Sequence, residues 1–274
     1  MLGIKEFVRE VVLEDIGRGD LFFDLAPKKE LQARIVAKSD GVLSGVKYAR
    51  EVANLLDFKA SFLIEDRESF KKGDVIALLD GQVNALLSAE RSFLNLLQHS
   101  SGIATNTKRY KDKLAGFNTK LLDTRKTRPA LRKFEKYSVK NGGGMNHRMG
   151  LDTCLMIKDT HLKAIDNLAE FVKVARDNIT FTSRIEIECD NFTLAKEAFE
   201  ADVDIIMCDN LSPEQVKEIV DYRDKNYPNV MLEASGNITL ENIVDYAKSG
   251  VDAISSGSLI HQATWLDLSM KFED

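Results

Sequence analysis

The stretch DIIMCDNLSPEQVKEIVDYRDKNYPNVMLEASG, residues 204–236, decides the fold of this 274-residue chain. It begins and ends with a short apolar segment, DIIMCD and VMLEASG, and the residues between them are more polar and suited to a helix. A strand, a helix and a second strand in this order form a βαβ unit, whose two strands lie parallel in one sheet. The stretch therefore predicts a parallel sheet covered by helices.

The same unit repeats along the second half of the chain. Further apolar segments occur at LLDTRK (121–126), CLMIKD (154–159), RIEIECD (184–190) and DAISSGS (252–258). Asp209 follows Glu188 by 21 residues, and Glu233 follows Asp209 by 24, which is enough for a strand, a helix and two loops. No GxGxxG fingerprint or P-loop opens a helix, so the repeats favour an α/β barrel over a doubly wound sheet.

The first part of the chain follows a less regular pattern. We expect an N-terminal helix, a second helix at 46–56, and strands at 31–38, 58–65 and 74–81. Apolar residues at helical spacing from 85 to 115 predict a connecting helix with a break near Ser100-Ser101-Gly102. We therefore predict a small α+β domain over residues 1–103 and an α/β barrel domain over residues 104–274.

Composition narrows the possible functions. A formal net charge of -5 and a pI near 5.6 argue against general binding to nucleic acids or anionic membranes, which requires a basic surface. The longest uncharged run, 92–107, is shorter than the ~20 residues that a membrane-spanning helix requires. Three cysteines without CxxC spacing lie in apolar runs, as expected for buried thiols in a reducing compartment. These features predict a cytoplasmic protein.

Polar side chains capable of chemistry lie where the predicted strands end. They are Asp123, Arg125, Lys158, Glu188, Asp209, Glu233, Ser235, Ser255 and Ser256. In an α/β barrel the carboxyl ends of the strands face one common opening. Residues more than a hundred positions apart in the chain are therefore expected to converge on one site.

Positive charge is concentrated in residues 120–148, where nine lysines and arginines face only two acids. Arg132, Lys133, Lys136 and Lys140 fall on a predicted helix, and we interpret them as a solvated face. Arg125, Lys126, His147, Arg148 and Lys158 instead lie at strand ends or beside the glycine-rich segment NGGGMNHRMG. Because unpaired cations at one opening repel each other, their natural ligand is expected to be strongly anionic. The same positive surroundings are expected to lower the pKa of His147 and keep it neutral.

Glycines and acids refine the kind of anion. Gly236 and Gly257 each follow a late strand and precede helical sequence, where free backbone N–H groups bind phosphate. Glu188 and Asp209 suggest Mg²⁺ held between carboxylate and phosphate oxygens, or hydrogen bonds to sugar hydroxyls, and they could instead pair with nearby cations. These residues predict catalysis by positioning and charge stabilisation without a covalent intermediate.

The motif LLDTRKTRPALRKFEKYSVKNGGGMNHRMGLDTCLMIKDTH, residues 121–161, strongly resembles the quinolinate phosphoribosyltransferase family, type II phosphoribosyltransferases. Further matches run through ERSFLNLLQHSSGIAT, IEIECDN, IMCDNLSPE, LEASGNIT and GVDAISSGSLIH, so the resemblance covers nearly the whole chain. It implies an N-terminal α/β sandwich-like domain and a C-terminal incomplete α/β barrel. It also implies transfer of a phosphoribosyl group from phosphoribosyl pyrophosphate to quinolinate with loss of carbon dioxide, giving nicotinate mononucleotide for NAD biosynthesis.

The resemblance also assigns roles to individual residues. It implies anion binding by Arg125, Lys126, His147, Arg148 and Lys158, an acidic pair at Glu188 and Asp209 that serves Mg²⁺, and ribose-phosphate loops at Glu233, Ser235, Gly236, Gly257 and Ser258. Lys126, Lys158, Glu188 and Asp209 are the expected catalytic residues. Arg91, in the motif AERSFLN, is expected to reach the substrate of a neighbouring subunit, which implies a homo-oligomer, either a dimer or a hexamer.

Three other functions remain open at this point. Lys158 could form a Schiff base in a barrel aldolase acting on a phosphorylated substrate. A paralogous phosphoribosyltransferase of the same fold could use another acceptor, such as nicotinate. A non-catalytic anion-binding module would explain the cations, but it would not explain Glu188 and Asp209.

Overall fold

The computed structural model describes residues 3–273 and divides the chain into two compact units. One unit combines the chain up to Lys108 with Lys133–Gly143 and the segment from Ala263 onward, and the other combines Arg109–Arg132 with Gly144–Gln262. Each unit combines separate segments of the chain, so the domain boundary that we predicted after residue 103 stays a prediction.

The first unit is built on an antiparallel sheet with helices. Its elements are α1 (Ile4–Ile16), β1 (Glu30–Ala37), β2 (Gly41–Val42), α2 (Val46–Leu55), β3 (Lys59–Phe62), β4 (Ser69–Phe70), β5 (Val75–Gln82) and β12 (Leu268–Phe272). The four-stranded sheet has the order β12-β1-β5-β3, so the last strand of the chain pairs with the first. Alternation along β1 buries Ala33, Ile35 and Ala37 on one face, where they join the hydrophobic core.

Helix α3 (Val83–Lys113) is continuous for 31 residues, so the predicted break near Ser100-Ser101-Gly102 is wrong. Gly102 is there for a different reason. A Cβ at this position would clash with the backbone carbonyl of Thr264 and would lie only 3.1 Å from the Cα of Trp265. The glycine therefore permits a close backbone approach within an intact helix, at the modest cost that glycine brings to a helix interior.

Helix α4 (Arg132–Asn141) confirms the helix predicted around the cations, but the interpretation as a solvated face is wrong for Lys136. Lys136 and its neighbour Glu135 are fully buried, and Glu135 Oε1 lies 3.1 Å from His99 Nε2. Arg132 is half-buried and donates from Nη1 to the Met149 carbonyl at 3.1 Å. Charged residues are rarely buried without partners, so sequence alone favours exposure.

The second unit contains six parallel strands and their helices. They are β6 (Lys120–Leu122), β7 (Leu155–Ile157), α5 (Asp159–Leu162), α6 (Leu168–Asn178), β8 (Ile185–Cys189), α7 (Phe192–Glu200), β9 (Ile205–Asp209), α8 (Pro213–Asn226), β10 (Met231–Ser235), α9 (Ile243–Lys248), β11 (Ala253–Ser255) and α10 (Ser258–His261). The strand order is β6-β11-β10-β9-β8-β7, and the sheet is an incomplete α/β barrel, as predicted.

Alternate residues along the strands of this sheet face either the hydrophobic core or the cavity. Ile187, Ile206 and Leu232 are fully buried on one face, where α7 packs against β8 and β9. The intervening side chains Glu188 and Met207 are paired in register and point to the opposite face, into a cavity. The period of two therefore places polar residues on the inner face of the barrel while the outer face forms the core.

In residues 3–273 no helix combines the length and the apolar content that crossing a membrane requires.

Candidate active site

A cavity of about 460 Å³ lies at the carboxyl ends of the six parallel strands. Most of the predicted site residues line it: Arg125, Lys126, His147, Arg148, Lys158, Glu188, Asp209, Glu233, Ser235 and Gly236. An adjoining recess of about 230 Å³ is lined by Gly257 and Ser258 together with Lys126 and Ser235. Arg91 is exposed on α3 in the first unit. The residues of the second unit thus converge as the strand-end pattern predicted.

Arg148 is held by two neutral acceptors. Its Nη1 donates to the Cys154 carbonyl at 3.3 Å, and its Nη2 donates to the Met156 sulfur at 3.2 Å. Burial and the positive charge of Arg125 both lower the pKa of Arg148. Because a carbonyl and a thioether do not neutralise a guanidinium, its charge remains available to an anion in the cavity.

Two carboxylates line the same cavity beside the cations. Glu188 Oε2 forms an ion pair with Lys158 Nζ, and Asp209 ends the neighbouring strand β9. Burial raises the pKa of Asp209, and the negative charge of Glu188 raises it further. Two carboxylates at adjacent strand ends, both with oxygen donors, fit the ligand preference of Mg²⁺.

The environment of His147 differs from the prediction. Burial alone lowers the pKa of its imidazole, but hydrogen bonds and negative charge from Glu186 and Glu233 outweigh that effect and raise the pKa to about 10. Nε2 lies 3.3 Å from a carboxylate oxygen of each acid. The expectation of a lowered pKa was therefore wrong. It considered only the cations that are near His147 in the sequence, whereas the fold brings Glu186 and Glu233 into contact with the imidazole.

The small-residue loops enclose the recess. Gly236 has φ of 90°, and the N–H of Asn210 donates to the Ser235 carbonyl at 2.9 Å beneath it. Helix α9 begins only at Ile243, so Gly236 leads into a turn and not directly into a helix as expected. After Gly257 the short helix α10 begins at once, and the Ser258 N–H donates to Ser256 Oγ at 3.3 Å.

Gly236→Ala should destabilise the protein more than a glycine replacement in open space. Its Cβ would clash with the Asn210 side chain and lie 2.8 Å from the Asn210 backbone nitrogen, in addition to the strain of a positive φ. Gly116 has φ of 88° with open space around it, so Gly116→Ala isolates the cost of φ. We expect urea unfolding to give a loss of about 1–2 kcal/mol for Gly116→Ala and about 3 kcal/mol or more for Gly236→Ala. Equal losses would contradict the steric explanation.

Several residues in or beneath the cavity are not apparent from the sequence. Met156 and Met207 line the cavity and Glu186 lies beneath it, and each precedes a predicted site residue by two positions, so the period of two along a strand could have found them. Thr124, Asn210, Asn237 and His261 also line the cavity or its recess, but they lie in loops or in a short helix where no periodic signal exists.

Two family models together match most of the chain. The model described as quinolinate phosphoribosyl transferase, N-terminal domain, matches residues 20–101, and that described as quinolinate phosphoribosyl transferase, C-terminal domain, matches residues 103–271.

Similar proteins and structures agree with these matches. The chain is 40% identical, over 98% of its length and 92% of the relative, to a probable nicotinate-nucleotide pyrophosphorylase (carboxylating) of Synechocystis sp.. It is 41% identical to the probable enzyme of the same name from Bacillus subtilis, over 98% of this chain and 93% of that one. The solved structure of the nicotinate-nucleotide pyrophosphorylase from Francisella tularensis superposes with a TM-score of 0.91 at 36% identity, covering 98% of this chain and 96% of that one.

Proposed function

Because this chain belongs to the quinolinate phosphoribosyltransferase family, we propose that its basic cavity holds quinolinate and phosphoribosyl pyrophosphate side by side. The chain is an enzyme that transfers the phosphoribosyl group to quinolinate with decarboxylation, giving nicotinate mononucleotide, pyrophosphate and carbon dioxide in NAD biosynthesis. The observation that carries the placement of both substrates is a single cavity lined by Arg125, Lys126, Arg148 and Lys158.

Arg125 and Arg148 bind the two carboxylates of quinolinate. The charge of Arg125 lowers the pKa of Arg148, so the two cations lie close enough to share one dianion. A guanidinium offers a planar fork that matches a carboxylate, whereas a lysine offers a single movable charge. The flat ring of quinolinate lies against Met156 and Met207, the two large apolar side chains among the residues that line the cavity.

Phosphoribosyl pyrophosphate occupies the cavity and its recess. Ser235, Gly236, Gly257 and Ser258 enclose the ribose phosphate, while Lys126 borders both spaces and reaches toward the pyrophosphate. Glu188 and Asp209 would hold Mg²⁺, which would supply positive charge to phosphate oxygens. Their two carboxylates at adjacent strand ends, with the raised pKa of Asp209, support this role.

The chemistry follows from these positions. The ring nitrogen of quinolinate attacks the anomeric carbon of the ribose as pyrophosphate leaves, and Lys126 and Lys158 stabilise the charge that develops on the leaving group. Glu188 and Asp209 stabilise the oxocarbenium-like centre and hold ribose hydroxyls. The cationic ring nitrogen stabilises the electron pair that stays on the adjacent ring carbon when the carboxylate departs as carbon dioxide, and a proton from solvent then bonds to that carbon to complete nicotinate mononucleotide.

One assay tests this function and separates it from a paralogue with another acceptor. Purified protein is incubated with phosphoribosyl pyrophosphate, Mg²⁺ and either quinolinate or nicotinate, and nicotinate mononucleotide and carbon dioxide are measured. We expect product and stoichiometric carbon dioxide from quinolinate, and much less product from nicotinate, which offers only one carboxylate to Arg125 and Arg148. Preference for nicotinate would contradict the proposed substrate. The same incubation without Mg²⁺ tests the metal requirement.

The active form is a homo-oligomer, a dimer or a hexamer, in which Arg91 reaches the quinolinate of a neighbouring subunit. Arg91 is exposed on α3, where a guanidinium is free to meet a second copy. The same unit exposes four large apolar side chains within five positions: Leu21, Phe22, Phe23 and Leu25. Runs of this kind are typical of protein–protein interfaces.

Mixing two inactive variants should restore activity if Arg91 acts across an interface. Arg91→Ala and Lys158→Met affect the same site from different chains, so a mixed dimer contains one intact site. Random pairing after co-refolding should then recover about a quarter of wild-type activity. Arg148→Ala mixed with Lys158→Met is the control, because both residues belong to one unit and every site keeps a defect. Absence of recovery in the first mixture would overturn the role of Arg91 in a neighbouring site.

A reducing compartment, the cytoplasm, suits this enzyme. Its three cysteines are free, and Cys189 and Cys208 are buried in adjacent strands. Burial raises the pKa of Cys208 to about 12, so its thiol stays protonated and unreactive.

A further inference from the structure

Three titratable side chains form a cluster beneath the cavity: His147, Glu186 and Glu233. Glu186 is fully buried and Glu233 is 3% exposed. The two acids approach the same imidazole nitrogen, with His147 Nε2 at 3.3 Å from Glu186 Oε2 and 3.3 Å from Glu233 Oε2. Burying a carboxylate costs free energy of folding unless the carboxylate accepts hydrogen bonds, so two buried acids at one site suggest a specific role.

The hydrogen-bonding groups of His147 are directed to the protein. Its backbone N–H donates to Asp123 Oδ1 at 2.9 Å, and its Nδ1 lies 2.7 Å from the backbone nitrogen of Arg148. Its Nε2 faces both acids and donates to them. His147 is thus held as part of the scaffold that carries Arg148.

Glu186 also contacts the second residue that holds Arg148. Cys154 Sγ lies 3.7 Å from Glu186 Oε2 and 3.3 Å from the Arg184 carbonyl, and the Cys154 carbonyl accepts a hydrogen bond from Arg148 Nη1 at 3.3 Å. One buried carboxylate therefore meets both supports of Arg148: His147, which anchors the backbone, and Cys154, which anchors the guanidinium. On β8, Glu186 lies two residues before Glu188 and shares its face of the strand.

We propose that Glu186 is a positioning residue that sets the place of the Arg148 guanidinium through His147 and Cys154 and thereby determines affinity for quinolinate. This inference rests on the proposed function, in which Arg148 binds a carboxylate of quinolinate. Glu186 does not touch the substrate. A bidentate contact depends on placement within about 0.5 Å, which residues packed behind the binding group provide.

The role requires an acceptor of the right length at position 186. Glu186→Leu keeps the bulk and removes both acceptor oxygens. Glu186→Gln keeps one acceptor for Nε2 in the same place. Glu186→Asp keeps the charge but withdraws the carboxylate by one methylene. A purely structural role would respond to lost volume, whereas a positioning role responds to the acceptor and its reach.

The test compares the KM for quinolinate with the KM for phosphoribosyl pyrophosphate in these variants. We expect Glu186→Leu and Glu186→Asp to raise the quinolinate KM by about tenfold, with the phosphoribosyl pyrophosphate KM within about twofold of wild type. Glu186→Gln should restore the quinolinate KM to within about threefold. Glu218→Gln, on an exposed position of α8, is the control expected to match wild type.

The results separate this inference from the proposed function. If the wild-type protein makes no nicotinate mononucleotide from quinolinate, the proposed function is contradicted. An active wild type whose Leu and Asp variants keep a normal quinolinate KM, or raise both KM values equally, would overturn the positioning role alone. If Glu186→Leu does not fold, Glu186→Asp decides the question, because it keeps the charge and nearly all of the volume.

Discussion

Arg148→Ala is expected to reduce kcat/KM for quinolinate by about a thousandfold, a loss of about 4 kcal/mol. Arg148 is half-buried, and the groups that hold its guanidinium, the Cys154 carbonyl and the Met156 sulfur, offer it no negative charge. Its removal leaves a carboxylate of quinolinate desolvated without a partner, which costs more than the lost contact alone. Steady-state kinetics with varied quinolinate measures the effect.

Two comparisons make this result specific. Arg148→Lys keeps a positive charge without the planar fork, and we expect it to recover only part of the loss. Arg184→Ala is the matched control: Arg184 also donates to a methionine sulfur, that of Met231 at 3.2 Å, but it is exposed and does not line the active-site cavity. A normal quinolinate KM and kcat in Arg148→Ala would refute the assignment of this residue.

Lys158→Met is expected to lower kcat by about a hundredfold to a thousandfold, with a smaller change in either KM. Lys158 follows β7, pairs with Glu188, and lines the cavity at the place proposed for the leaving pyrophosphate. The charge on pyrophosphate grows during the reaction, so a cation there stabilises the transition state more than the bound substrates. Single-turnover kinetics with saturating substrates measures this step directly.

The matched control is Lys173→Met on α6, where the lysine is exposed. We expect wild-type kinetics from it, because loss of a solvated charge changes little. A borohydride-trapped adduct between Lys158 and a substrate would favour the aldolase alternative instead. If Lys158→Met raised the KM for phosphoribosyl pyrophosphate while leaving kcat unchanged, its role would be binding and not stabilisation of the leaving group.

Much of the fold was predictable because strands and helices are local. The segments around Glu188, Asp209 and Glu233 became β8, β9 and β10, and Ser212 and Gln215 cap α8 reciprocally, as a serine before Pro213 favours. The convergence of strand-end residues also followed, since parallel strands share one carboxyl edge. Their individual roles in catalysis and in metal binding stay predictions.

The errors have a common physical origin. The break expected at Ser100-Ser101-Gly102 and the lowered pKa expected of His147 each overlooked residues that are far away in sequence. Gly102 meets Thr264, and His147 meets Glu186 and Glu233, at separations of tens to more than a hundred residues. Local propensity carries no information about such neighbours.

The sequence by itself determined the alternation of strands and helices in the second unit and the family to which the chain belongs, because these depend on spacing and on motifs read along the chain. Only the tertiary structure decided which side chains became partners. It set Glu186 and Glu233 beneath His147 and gave Arg148 neutral supports. Burial and pairwise electrostatics depend on distances in space, and folding alone creates those distances.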